Sequence, residues 1–344
     1  MAHVIHCPSC GAPLPYSEGT YSVCTFCGSE VTTGTAQKPW TAKPPATPTI
    51  RAGYIVGLAA AVMIFAGLGV AMLVLKETDR PITEPAPTEI AYAGETFRFG
   101  NEGTGPGKFT DNRNIALAGN RVYGMDYGSG WIQVFDTSGL FLTQWPLADQ
   151  RVPISDMDAD QKGHVFVCQT GTVYAYDGET GKLLAQTAGE HFEHLSVGTD
   201  GSVNAFTPYG DVWQLDDMLQ KKKIYTDVYK KAGLPTGFQS CTAVNAMGEL
   251  FMVSLTGDEV YVFSADAALL GRFKTGLNAV TDIVVDAQNR LYLCAMGQVH
   301  MFDADGKTLG SFPVQQQTFT LAIDGQNSLW AASRNHIIKY RINK

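Results

Sequence analysis

The stretch FRFGNEGTGPGKFTDNRNIALAGNRVYGMDYGSGWIQVFDTSGLFL (97–142) decides how the chain is read. It opens on a glycine-rich loop ahead of Phe109. Three runs follow, the apolar IALA and the mixed RVYGMD and WIQVFD, parted by Gly119-Asn120 and Gly128-Ser129-Gly130. Alternation of period two marks a strand with two different faces, and Gly/Asn turns between such runs close hairpins. A fourth run begins at Leu140. One segment of roughly 40 residues therefore reads as a four-stranded antiparallel unit.

The unit recurs. Its first turn can be read at IALAGNRVYGMD (115–126), MDADQKGHVFVC (157–168), LSVGTDGSVNAF (195–206), TAVNAMGELFMV (242–253), IVVDAQNRLYLC (283–294) and LAIDGQNSLWAA (321–332). The third strands end VFD (134–136), AYD (175–177), QLD (214–216), VFS (262–264), MFD (301–303) and KYR (339–341). A repeat near 40 residues with four strands each predicts a β-propeller. Six copies predict six blades over 90–344. The sixth runs out at Lys344 after three strands, so IAYAGETFRF (90–99) is expected to supply the missing one and bury two exposed edges.

The first copy resembles an NHL repeat. The FG-rich opening, the I-A-V-like strand, V-Y, Asp126 and I-Q-V-F-D are present, although the family's frequent Pro before the inner strand is missing. GTVYAYDGETGKLLAQ (171–186) instead resembles a quinoprotein-type propeller repeat. The resemblance implies an all-β, six-bladed, NHL-like propeller.

Composition changes sharply along the 344 residues. The formal charge of −8 is +1 up to Arg51 and −9 from Lys76 onward, which excludes a nucleic-acid-coating protein. Seven Cys are too few for a disulfide scaffold of this size.

GYIVGLAAAVMIFAGLGVAMLVL (53–75) carries no charge. As a helix its 23 residues span about 34 Å, against a hydrocarbon core of about 30 Å. Arg51 and Lys76 bracket it, so it reads as an uncleaved transmembrane helix in the cell membrane. Linkers rich in Pro, Thr and Ala flank it at 32–52 and 76–89. Lys38, Lys43 and Arg51 on one side, against Lys76 and Arg80 on the other, favour a cytoplasmic N-terminus and an extracytoplasmic propeller. The N-terminal thiols also favour a reducing compartment. Three further unpaired Cys (168, 241, 294) sit awkwardly outside the cell.

Cys7-Pro8-Ser9-Cys10-Gly11 and Cys24-Thr25-Phe26-Cys27-Gly28 are two C-x-x-C-G knuckles. Four thiolates at about 2.3 Å make a closed tetrahedral zinc site, structural rather than catalytic. The pattern resembles the zinc ribbon family over roughly residues 5–31, which implies one structural zinc on two β-hairpins. A module of 1–31 buries little core, so metal supplies its folding energy. Its few basic residues favour protein contact over nucleic acid.

Alignment of the six inner strands places Asn114, Asp156, His194, Cys241, Asp282 and Thr320 at one level. Such a ring near a channel mouth is suited to a cation or small ligand, although strand starts at a wet channel are polar in any case. Lys221, Lys222, Lys223, Lys230 and Lys231 fall in a segment, 216–235, that reads as an insertion between blades three and four. They form a candidate basic patch for lipid headgroups or an acidic partner. No Ser-His-Asp arrangement is spaced for catalysis, and Gly103–Gly107 belongs to the repeat opening rather than to a phosphate loop. The sequence thus points to a membrane-anchored, non-catalytic scaffold or accessory subunit with protein partners. A propeller enzyme or ligand sensor is the alternative.

Overall fold

The computed structural model describes residues 92–343, apart from 188–189 and 238, and four short strands nearer the N-terminus. Of these, Ile5–His6 pairs antiparallel with Pro13–Leu14, and Tyr21–Val23 with Glu30–Thr32. The expected zinc ligands Cys7, Cys10, Cys24 and Cys27 and the expected span 53–75 lie outside the described residues. Among the described residues no helix is long and apolar enough to cross a membrane.

Six four-stranded antiparallel sheets make the propeller. Blade one is Asn112–Ala118, Arg121–Asp126, Trp131–Asp136 and Phe141–Pro146, from inside outward. Blade two is Asp156–Ala159, His164–Gln169, Thr172–Asp177 and Leu183–Gln186. Blade three is His194–Val197, Val203–Phe206, Val212–Leu215 and Lys221–Tyr225. Blade four is Gln239–Val244, Leu250–Ser254, Glu259–Phe263 and Leu269–Lys274. Blade five is Val280–Val285, Leu291–Ala295, Gln298–Phe302 and Thr308–Pro313. Blade six is Thr318–Ile323, Ser328–Ser333, His336–Ile342 and Ala93–Phe99. The innermost strands contact one another in ring order, and blade six returns to blade one.

Blade six is the only one of the six built from both ends of the domain. Ala93–Phe99 pairs antiparallel with His336–Ile342, with Phe99 opposite Ile337 and Glu95 opposite Tyr340. Phe97 meets the buried Trp330 edge-on at 5.7 Å, and Phe99 lies 4.8 Å from Phe135 of blade one.

The core is a set of apolar layers between blades. Alternate residues of a strand point to opposite faces. In the second strand of blade two, Val165 and Val167 join Trp145 and Met157, whereas Phe166 and Cys168 join Leu195 and Trp213. Both faces of each sheet are therefore buried. This is why VFVC, LFMV, LYLC and LWAA read as unbroken apolar runs rather than as alternation. Each buried Val, Leu or Phe contributes about 1.5–3 kcal/mol. Cys168, Cys241 and Cys294 are free, buried thiols within these layers.

The repeated acidic turn residues are explained by backbone demand. The Asp136 carboxylate accepts from the backbone N–H groups of Ser138 and Leu140, Asp216 from Met218 and Gln220, and Asp303 from Asp305 and Lys307. These are Asx turns that close the third strand onto the fourth. The first turn of the blade repeats the device. Asp286 accepts from Gln288 and Arg290 N–H with one oxygen, and from Arg290 Nε and Tyr292 Oη with the other. A glycine completes several outer turns. Gly306 has φ +84°, and a Cβ there would lie 2.2 Å from Phe273 Cγ of the preceding blade. Left-handed φ and close approach together exclude other residues.

The glycine-rich opening is also tied down. Gly107 N–H donates to Gln133 Oε1, Gln133 Nε2 donates to the Lys108 carbonyl, and Asp126 accepts from Thr110 and Asp111 N–H. The Gln and Asp of the first repeat are thus loop anchors.

Candidate functional site

An antiparallel ladder leaves every other N–H of an innermost strand facing the channel without a partner. In three places an aspartate fills that need. Asp156 accepts from its neighbour Met157 N–H with Oδ1 and from Leu195 N–H of the next blade with Oδ2, at 2.9 and 3.0 Å. Asp158 does the same with Ala159 and Val197, both at 2.8 Å. Asp282 does it with Ile283 at 2.8 Å and Leu321 at 2.6 Å. Each carboxylate clamps one blade to the next. Across two other junctions hydroxyls serve. Ser196 and Thr242 share a hydrogen bond of 2.9 Å, and Thr320 Oγ1 donates to the Arg113 carbonyl at 3.1 Å.

These residues line a channel cavity of about 510 Å³, whose wall includes Asp156, Asp158, Asp282, Ser196, Thr242 and Thr320. Its rim is formed by first-turn residues such as Gly119, Asp160, Gly198 and Gly325, so the cavity opens on the face that carries those turns. Burial pushes the Asp158 carboxyl up to about 7, against the two backbone N–H bonds that lower it. Burial also raises Asp282 well above the usual carboxylate range, and the nearby Asp156 charge adds to the rise. Charge is thus disfavoured in this wall, because desolvation outweighs the hydrogen bonds.

The ring expected from sequence divides. Asp156, Asp282 and Thr320 face the cavity; Asn114, His194 and Cys241 do not line it. His194 Nδ1 lies 3.6 Å from Asp156 Oδ2. Asn114 and Cys241 are buried. Burial, with the charge of Asp282, holds the Cys241 thiol well above its ordinary value, so it is a protonated core residue and not a nucleophile. Sequence reasoning missed Asp158, two residues beyond Asp156 on the same side of the strand. The signal was the period-two run Asp156, Asp158, Asp160.

The five lysines fall on two elements. The segment read as an insertion contains the outer strand of blade three, with Lys221–Lys223, and a short helix, Val228–Lys231, with Lys230 and Lys231. Lys221 Nζ sits 3.9 Å over the Trp213 ring, Lys223 pairs with Asp266 at 2.5 Å, and Lys231 donates to the Thr226 carbonyl. The strand is there because blade three needs a fourth one; the repeat spacing of 48 at this point hid it.

Asp160, His164 and Asp217 bring three ligand-type atoms within 4.8 Å of one another. All three are already engaged. Asp160 closes an Asx turn and holds His164 Nδ1 at 2.9 Å, and Asp217 pairs with Lys162 at 2.5 Å.

No protein-family model and no curated protein matches the sequence. A solved structure does match in shape: a chain of the "Crystal Structure of Mitotic Checkpoint Complex", at a TM-score of 0.54 and 10% identity, over 77% of this chain and 97% of that one. At that identity the likeness concerns the fold alone, which is a β-propeller.

Proposed function

We propose that this chain is a membrane-anchored, non-catalytic protein-interaction scaffold, an accessory subunit of a membrane complex. One observation carries the reading. The ionisable residues of the channel wall are taken up in holding blade to blade: Asp156, Asp158 and Asp282 each spend both oxygens on backbone N–H groups. A rigid propeller whose polar groups serve its own fold offers surface rather than chemistry. In this reading 53–75 is the anchor, 1–31 is a cytoplasmic zinc ribbon with Cys7, Cys10, Cys24 and Cys27 on one structural zinc, and the propeller is extracytoplasmic. Support for the ribbon comes from the two antiparallel strand pairs, each of which brackets one C-x-x-C in the sequence.

Purification of the full chain in mild detergent tests the scaffold, with co-migrating chains identified by mass. A discrete partner at fixed stoichiometry is expected; a monodisperse lone chain sinks the subunit role. Metal analysis of the same preparation is expected to give one zinc per chain, lost when Cys24 and Cys27 become Ser. Protease treatment of intact cells is expected to remove the propeller, and full protection would reverse the orientation.

The cavity of about 510 Å³ favours a second reading, in which the channel binds a small ligand. Native mass spectrometry of the purified chain distinguishes the two, since a stoichiometric small molecule in place of a protein partner would support the sensor.

A further inference from the structure

The turns on the two faces of the propeller differ in kind. Turns from first to second strand and from third to fourth lie on one face, where the Asx aspartates are. Turns from second to third strand lie on the other, together with the loops between blades. On that second face three consecutive blades each raise one large apolar side chain into solvent. Tyr209 is 66% exposed, Leu255 67% and Met296 79%. Tyr127 occupies the same turn in blade one and is 48% exposed. Beside it the Arg113 guanidinium is held between the rings of Tyr127 and Phe319, at 4.4 and 4.9 Å.

The fold does not require these choices. Met296 has φ +50° and precedes Gly297 at φ +79°, a two-residue hairpin turn that Asn or Gly would fill with less strain. Packed sheets stand about 10 Å apart, so Tyr209, Leu255 and Met296 form an arc spanning two such spacings. Their turns, Thr-Pro-Tyr-Gly-Asp (207–211), Leu-Thr-Gly-Asp (255–258) and Met-Gly (296–297), carry little charge. Exposed Tyr, apolar side chains and stacked Arg are the composition of interface anchors.

Charge selects among occupants. The only charged residues of these three turns are Asp211 and Asp258, so the arc disfavours an anionic lipid surface or an acidic segment. We propose that the arc of Tyr209, Leu255 and Met296 is the docking surface for a second protein, through a segment with apolar side chains and no excess of negative charge. This deepens the scaffold reading above and rests on it.

The test is site-specific photo-crosslinking in cells that make the full-length chain. A photoreactive residue is placed at Leu255 or Met296, and for comparison at Leu140 or Met247, which are 62% and 64% exposed on the opposite face. Adducts to one other protein are expected from 255 and 296 and not from 140 and 247. The identified pair, purified together, is then measured with Tyr209→Ser, Leu255→Ser and Met296→Ser combined. A loss of tenfold or more in affinity is expected, at about 1.4 kcal/mol per decade. Leu140→Ser with Met247→Ser is expected to leave affinity unchanged. Protein adducts from 140 and 247 alone would overturn the surface and spare the scaffold. Adducts only to lipid, or only to another copy of this chain, would overturn the partner class. An absence of adducts at all four positions would overturn the scaffold itself.

Discussion

The two faces of the propeller use their turn residues in opposite ways. On one face Asp136, Asp216, Asp286 and Asp303 point back into their own turns and satisfy backbone N–H groups. On the other, Tyr209, Leu255 and Met296 point outward into solvent. Polarity is therefore a poor guide to function here. These aspartates serve the fold, whereas the side chains of the arc lie mostly in solvent.

The largest effect that can break this contrast is expected at Asp286. Its carboxylate is fully buried and holds two backbone N–H groups, Arg290 and the Tyr292 hydroxyl. Asp286→Ala leaves those groups unpaired, and urea unfolding should show a loss of about 3 kcal/mol. A loss below 1 kcal/mol would mean that the aspartate is not structural.

The channel clamps give a pH dependence of known sign. Asp158 has its carboxyl raised to about 7, from 3.8 when unfolded. Between those values the folded state binds the proton more tightly. Stability therefore falls as pH rises from about 4 to about 7, and is flat above. Asp282 is shifted in the same direction. The unfolding midpoint of the full chain should rise when the pH is lowered from 7.5 to about 5.5. Asp158→Asn should flatten that slope, and an unchanged slope would show that other groups set it.

Legibility in the sequence followed the same division. The strands and the six-fold repeat were readable because both sheet faces are buried, which leaves apolar runs such as LYLC (291–294) between turn residues. The six inner positions could be aligned, but spacing does not tell a ligand from a clamp. Asp156 and Asp282 became clamps only when Leu195 and Leu321 of the next blade came into view, both 39 residues on. Asn114, His194 and Cys241 share that level without lining the cavity, and the strand-start irregularity does not sort them, since it precedes Asp282 and Thr320 as well as Cys241. The exposed arc drew no notice in the sequence, since a lone Leu or Met in a turn is unremarkable until three blades place theirs on one face.

Smaller effects sharpen the contrast. Met296→Asn should stabilise the propeller by about 0.5 kcal/mol, because Asn accepts the left-handed turn more readily. Leu255→Ser should move stability by less than about 0.5 kcal/mol, as expected for a side chain that is mostly exposed. A larger loss in thermal unfolding would place Leu255 in the fold's service after all.

The most direct test of the whole account is hydrogen exchange on the full chain, alone and in complex with the chain that co-purifies with it. Binding should slow exchange in the turns 207–211, 255–258 and 296–297. The opposite turns, 160–163, 245–249 and 286–290, should stay unchanged. Protection confined to those opposite turns, or to the inner strands around Asp156 and Asp282, would contradict it.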